Sequence, residues 1–488
     1  MSSSYQSKKF LVCSVGLAMS ACQEAPLEHE SQANTRLSQA LTAQGTTVQG
    51  AFYDFEVVGM SGNGQVHAAT TYPVIGNGPS INDQGRVAFA ATKLHDGDSI
   101  FRDNGSTPLK TTGSPYTQFG ASPRINTAGH VAAMENDYSS VGMGVRIWTA
   151  QDTATTIVYG YGASGFYPID ESVALNDSDQ TAFIADSLPN YVPVVVTRNA
   201  SPASAPFYQR EMLARAETVA MDNAGKVVYV HETENGPALV LASNDLSSTT
   251  VIADTTCFWS IGHAAGISPD GRIIVFYGES NGACAIQPQA ESAEGVFASL
   301  DIGGTTRKLV RLSGVKVEAQ GNGDGTCDAG ETCRSGELGF DQQGNPFSFA
   351  SFNTRSRIGV AHQQLGVAGL AEDSFVVTIV GTPNAAHHQG RFSAQQGIWT
   401  VRADVSAGSA FKLNLSTPIP VVQVGDSIGS EVVAGFGSSS YDVHPDIANA
   451  RVAYSGTPRQ QARGDHRVVF YAKTTTGQEL VVRSEHLE

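Results

Sequence analysis

The stretch GNGDGTCDAGETC, from Gly321 to Cys333, sets Asn322, Asp324, Asp328 and Glu331 among glycines. Hard oxygen donors on a tightly bending backbone suit Ca²⁺. The spacing is not that of an EF-hand, because the closing Glu comes too early, and a solvated loop pinned by a Cys327–Cys333 disulfide is the other reading. Cys257, His263 and Cys284 carry the donor types of a zinc site in no familiar zinc spacing. Proton transfer needs a different set. His130, Tyr229, His231, His263 and Arg272 are the residues that could abstract a proton beside a carboxylate while a guanidinium neutralises it. Each histidine also has a plainer reading as a structural or surface residue. No GxSxG elbow, HExxH, P-loop or dinucleotide fingerprint accompanies them, so no organic cofactor is expected.

These residues sit in or beside a repeat. INDQGRVAF begins at Ile81, INTAGHVAA at Ile125, LNDSDQTAF at Leu175, MDNAGKVVY at Met221 and ISPDGRIIV at Ile267, at steps of 44, 50, 46 and 46 residues. Weaker copies begin at Met60, Phe340, Leu370 and Ile447, and the phase breaks up after about residue 300. A period of that length in a β-rich chain matches one four-stranded propeller blade.

Within the unit an apolar residue precedes small polar residues and a Gly, and an alternating run follows. Asn and Asp side chains can bond nearby backbone amides, and Gly85 can take a positive φ without steric cost. The run from Val87 then reads as an inner strand that sends one side-chain set towards the adjacent blade, and DSIF at Asp98, VRIW at Val145, EGVF at Glu294 and QGIW at Gln396 read as its hairpin partner. A residue type repeated in five units is architectural, since a catalytic group is needed once. RVVFYA and ELVVR near the C-terminus read as a hairpin, to which YDFEVVGM from Tyr53 can add a strand that closes the ring.

The motif resembles the NDxGxVAF repeats of bacterial secreted propeller-like proteins from about Met60 to Tyr454, and it is similar to the Asp-box turn of sialidases without that box's Trp. The Cys-rich stretch resembles the GDGxCDxGExC modules of secreted proteins of some Gram-negative bacteria. Propeller polysaccharide lyases draw His, Tyr and Arg from neighbouring blades, which is what gives the five candidate residues above their interest.

The N-terminus reads Lys8-Lys9, a short apolar run FLVCSVGLAM, then SACQ, which is an export leader too short to span a membrane. MSAC resembles the lipobox of bacterial lipoproteins, with Met19 where Leu is usual, and implies lipidation of Cys22; ordinary cleavage after Ala21 is the alternative. Gln23 rather than Asp after the Cys favours the outer membrane. Loss of Lys8 and Lys9 takes the formal charge from −16 to −18, spread along the chain, and this disfavours nucleic acid as a partner. Four cysteines then remain, read as two disulfides, Cys327–Cys333 and Cys257–Cys284.

The expectation is an all-β chain: a signal peptide over 1–21, a tether over 22–47, and over 48–488 a β-propeller of about seven four-stranded blades, with six or eight as alternatives and a Cys-rich insertion at about 318–336. With no catalytic signature, the leading function is a lipid-anchored binder of a surface glycan, protein or small ligand at the outer membrane, or secreted. An exported carbohydrate-active enzyme, a polysaccharide lyase or glycoside hydrolase, is the alternative.

Overall fold

A computed structural model describes residues 47–49, 52–61, 75–76, 78–93, 97–103, 108–111, 117–120, 122–137, 142–159, 165–201, 204–213, 216, 218–286, 294–301, 307–312, 315–320, 332–336, 339–340, 346–347, 349–352, 360–364, 372–383, 397–407, 411–415, 419–436, 445–448 and 463–487. The chain divides into two units, 1–43 and 44–488, and every described residue lies in the second. The expected signal peptide over 1–21, Cys22, Cys327 and the calcium candidates Asn322, Asp324, Asp328 and Glu331 lie outside the described residues.

The described residues build a seven-bladed β-propeller of antiparallel sheets. Blade 1 comprises Ser80–Ile81, Val87–Lys93, Gly97–Arg102 and Pro108–Thr111. Blade 2 runs from Thr117 to Tyr159, blade 3 from Phe166 to Glu211, blade 4 from Val219 to Ala253 and blade 5 from Phe258 to Arg311. After blade 5, the strands Val315–Gln320 and Thr332–Gly336 pair as a ribbon that brackets the Cys-rich stretch. Blade 6 is the most irregular. Two short strands, Phe349–Phe352 and Val360–Gln364, share one edge of Glu372–Pro383, and Phe411–Leu415 and Ile419–Gln423 share the far edge of Gly397–Ala407.

Blade 7 closes the ring from both ends of the fold. Asp446–Ala448, Arg463–Thr474 and Glu479–Leu487 supply three strands, and Tyr53–Met60 pairs with the last of them, Tyr53 opposite His486 and Met60 opposite Leu480. Thr47–Gln49 adds a further short strand outside Tyr53–Met60. The closing strand expected near residue 53 is therefore present; Met60, where a weak repeat copy was expected to begin, ends this outer strand, and the rest of that copy after Ser61 lies outside the described residues.

Two details differ from the expected unit. The innermost strand precedes the turn instead of following it: Ile81, Ile125, Leu175, Met221, Ile267 and Ile447, the apolar first positions of six repeats, all border one axial cavity. The strand after the turn is second in its blade and is buried on both faces. Val87, Phe89 and Ala91 pack against Val469, Tyr471 and Val481 of blade 7, while Ala88 and Ala90 pack with Val131, Ala133 and Trp148 of blade 2. Every blade is flanked by two others, so an alternating strand has no solvent side and both of its side-chain sets must be apolar. In blade 1 the alternation is one of size, Phe89 against Ala88 and Ala90.

Candidate functional site

In blades 1 to 3 the turn at the inner end does three jobs with one Asn. In blade 1, Asn82 N donates to Arg86 O at 3.0 Å and Asn82 O accepts Gly85 N at 2.8 Å, which closes the turn. Its Oδ1 accepts the amides of Gln84 at 3.1 Å and Arg86 at 3.0 Å. Its Nδ2 leaves the blade and donates to Asn126 O of blade 2 at 2.7 Å. Asn126 repeats this towards Asn176 O of blade 3 at 3.0 Å, and Asn176 towards Asp222 O of blade 4 at 3.4 Å. The side chain thus satisfies buried donors and acceptors in two blades at once.

The turn glycines follow from the same geometry. Gly85, Gly129, Gly225 and Gly271 have φ between 74° and 84°. A Cβ on each would lie 2.1–2.2 Å from a side-chain atom of the preceding blade: Arg467, Arg86, Gln180 and Asp222 in turn. In blade 3 the position is Asp179, at φ 58°, a conformation Asp tolerates better than most residues. Its carboxylate is used: it accepts Asn126 Nδ2 at 2.9 Å and His130 Nδ1 at 2.8 Å.

One residue after Asn82 and its counterparts, exposed Asp83, Asp177, Asn223 and Pro269 and half-buried Thr127 form the rim of the axial opening. They too are linked laterally. Thr127 N donates to Asp177 Oδ1 at 2.8 Å, Asn223 Nδ2 to Asp177 Oδ2 at 2.8 Å, and Asn223 N to Pro269 O at 2.7 Å. Inside this rim lies a cavity of about 150 Å³ bordered by blades 1 to 5 and 7. Arg124 on the inner strand of blade 2 reaches past blade 1 to Asp446 of blade 7, Nη1 to Oδ2 at 3.1 Å, and the same oxygen accepts Ile81 N at 3.1 Å. Burial lowers the Arg124 pKa, with Asp446 opposing it. The cavity is therefore an electrically paired, hydrogen-bonding socket, with an apolar wall of aliphatic side chains and a polar lip.

No family model matches the sequence, and neither does any curated protein. Among solved structures, U3-55K is similar over 88% of this chain and 98% of its own, at 11% identity and a TM-score of 0.41. TolB from Acinetobacter baumannii is similar over 70% of this chain, which spans 65% of that structure, at 11% identity and a TM-score of 0.32. The β-propeller domain of the Trilobed protease from Pyrococcus furiosus is similar over 70% of this chain and 97% of its own, at 10% identity and a TM-score of 0.33.

The five candidates for proton transfer do not converge on one site; only Tyr229 and His231 touch. His130 is held by Asp179 at the joint of blades 2 and 3. Tyr229 and His231 lie 5.5 Å apart between ring centroids in the second strand of blade 4, and the Arg210 charge from blade 3 acts on both. Burial raises the Tyr229 pKa and lowers that of His231, and the Arg210 charge adds to the latter. His263 is exposed on blade 5, with its carbonyl accepting Thr218 Oγ1 at 3.1 Å. Arg272 Nε donates to Asp301 O at 2.9 Å. None of the five borders the axial cavity.

The zinc reading fails for a simple reason: Cys257 and Cys284 are joined as a disulfide, which leaves no thiolate to bind metal. Cys333 lies opposite Glu318 in the ribbon, and its expected partner Cys327 lies outside the described residues. Arg124, Asp446 and Arg210 escaped the sequence reading. Arg124 was findable, because it stands immediately before Ile125, at the position where the inner strands of blades 1 to 5 and 7 face the axis; Asp446 had the same signal before Ile447. Nothing local marks Arg210.

Proposed function

We propose that this protein is an exported propeller, anchored by a lipid on Cys22, whose axial face binds a surface glycan, a protein or a small ligand and releases it unchanged. The observation that carries the reading is the axial socket itself. It opens between exposed Asp83, Asp177 and Asn223, holds the Arg124–Asp446 pair, and is bordered by none of His130, Tyr229, His231, His263 and Arg272. Small-molecule sites are typically concave, with an apolar wall and a few convergent polar groups. The Cys257–Cys284 disulfide supports an oxidising compartment, hence export.

The lyase alternative draws on Arg210, Tyr229 and His231, a genuine Arg–Tyr–His cluster at the seam of blades 3 and 4. Tyr229 is only 1% exposed, out of reach of a polymer.

The test is a panel of acidic and neutral polysaccharides and their monomers, titrated calorimetrically against the mature chain while ultraviolet absorbance follows unsaturated products. Heat of binding that disappears in Arg124→Met and in Asp446→Asn, with no new absorbance, is the expected result. Turnover that survives both substitutions and is lost in Tyr229→Phe moves the function to the seam. Retention on the membrane of the wild type but not of Cys22→Ser tests the anchor.

A further inference from the structure

Three blades pass a hydrogen bond to the next through an Asn side chain, and the fourth carries Asp222 in the same place. Asp222 keeps the turn contacts of its counterparts. Its N donates to Lys226 O at 3.0 Å, its O accepts Gly225 N at 3.0 Å, and its Oδ1 accepts Lys226 N at 2.7 Å. What an ionised Asp lacks is the outward donor. Asn82, Asn126 and Asn176 each send Nδ2 to the carbonyl of the equivalent residue in the next blade. For Asp222 that residue is Ser268.

Asp222 is 1% exposed, and its Oδ2 is buried with no hydrogen-bond donor for it among the described residues. That oxygen faces the blade 5 turn, since a Cβ built on Gly271 would lie 2.2 Å from it. Gly271 N in turn donates to Ser268 O at 2.8 Å, so the carbonyl closes the turn against which Oδ2 is pressed. Ser268 is itself fully buried. A carboxylate oxygen held there without a donor would suffer an uncompensated desolvation cost; a protonated one becomes the missing donor.

We propose that Asp222 is a neutral carboxylic acid in the folded protein and donates its proton to the Ser268 carbonyl, completing the inter-blade ladder and making the joint of blades 4 and 5 an acid-stabilised latch. The proton comes from solvent during folding and is released when the joint is titrated. Lys226 on its own turn is the charged group that acts on the Asp222 carboxyl. From blade 3, Asn176 Nδ2 reaches the Asp222 carbonyl, Gln180 packs on Gly225 of the same turn and Asp177 bonds Asn223; on the blade 5 side, Asp270, Arg272 and Arg307 stand on or beside the turn of Gly271. Arg307 Nη1 bonds the Gly271 carbonyl at 3.3 Å, and Arg272 is bonded to Asp301. Lys226 works against protonation, and burial outweighs it, which raises the carboxyl's pKa.

The linkage has a fixed sign. With the folded value above the unfolded one, the latch contributes in full below the unfolded carboxyl's range and is lost as pH rises from there through the folded value. Asp222→Asn supplies the donor without a proton. The folding equilibrium constant of Asp222→Asn divided by that of the wild type should therefore climb about tenfold for each pH unit between the two values and then level off.

The experiment measures urea unfolding of the full mature chain across pH for wild type, Asp222→Asn and Asn176→Asp, and infrared spectra of the folded wild type and Asp222→Asn. The expected result has three parts: a rising ratio, a protonated-carboxyl stretch in the wild type that Asp222→Asn removes, and a new pH dependence of the same sign in Asn176→Asp. Should Asp222→Asn fail to fold, the reciprocal Asn176→Asp profile decides. A flat ratio with no carboxyl band, or an Asn176→Asp variant that tracks the wild type at every pH, overturns the proposal.

Discussion

The side-chain amide of Asn126 in blade 2 donates both to the backbone carbonyl of Asn176 at 3.0 Å and to the Asp179 carboxylate at 2.9 Å in blade 3. One short side chain therefore couples two repeats, while its Oδ1 accepts the His130 amide at 2.9 Å and holds its own turn. Asn126→Ala should cost about 2–4 kcal/mol, because it leaves buried donors and acceptors unmet on both sides of the seam. Chemical denaturation checks the size, and hydrogen exchange should place the loss at blades 2 and 3.

Ring closure rests on the strand Tyr53–Met60. Tyr53 is buried, and its hydroxyl bonds Thr400 of blade 6 at 2.6 Å and His466 of blade 7 at 3.0 Å. Tyr53→Phe should cost about 1–2 kcal/mol. Removing residues 1–61 should do more, since it bares the edge of Glu479–Leu487 to other chains. Size-exclusion chromatography would then show aggregates where the chain that keeps Tyr53–Met60 runs as a discrete species.

The Cys257–Cys284 disulfide spans 27 residues and ties the start of blade 5's inner strand to the loop after Ser280. A closed loop of that length stabilises by about 3–4 kcal/mol in the chain-entropy model. Replacing both cysteines with Ala, or reducing the wild type, should lower the urea midpoint accordingly; reductant should leave the double variant unchanged.

Arg311 is 4% exposed, and neither Nε nor Nη1 finds an acceptor among the described residues. It stands opposite Phe297, which packs on Phe258 at 5.0 Å and Phe276 at 5.8 Å. Burial pushes its pKa down to about 10. Arg311→Met keeps the stem and removes the charge, so it should stabilise the fold by about 1–4 kcal/mol in urea titrations. Destabilisation instead would mean that the guanidinium is held by an acceptor outside the described residues.

Much of this was legible in the chain. The 44- to 50-residue steps from Ile81 to Ile267 mark repeating supersecondary units, because each blade must restart the same turn at the axis, and the apolar runs at Tyr53 and after Arg463 mark the closing blade. The architectural role of the NDxG turn followed from its recurrence. Its outward reach did not, since the acceptor for Asn82 lies 44 residues away on another blade and no local pattern encodes that contact.

The same limit governs the site. Sequence alone determined that the chain is all-β, repeat-built and closed by its two ends, because period, turn chemistry and alternation are local properties that each unit carries within itself. Only the tertiary structure decided which side chains share a space. It separated His130, Tyr229 and His263, brought Arg124 to Asp446 across 322 residues, and put Asp222 where three other blades use an Asn. Ring geometry makes neighbours of residues whose separation in the chain says nothing about their distance, and it is there that charge, burial and hydrogen bonding become chemistry.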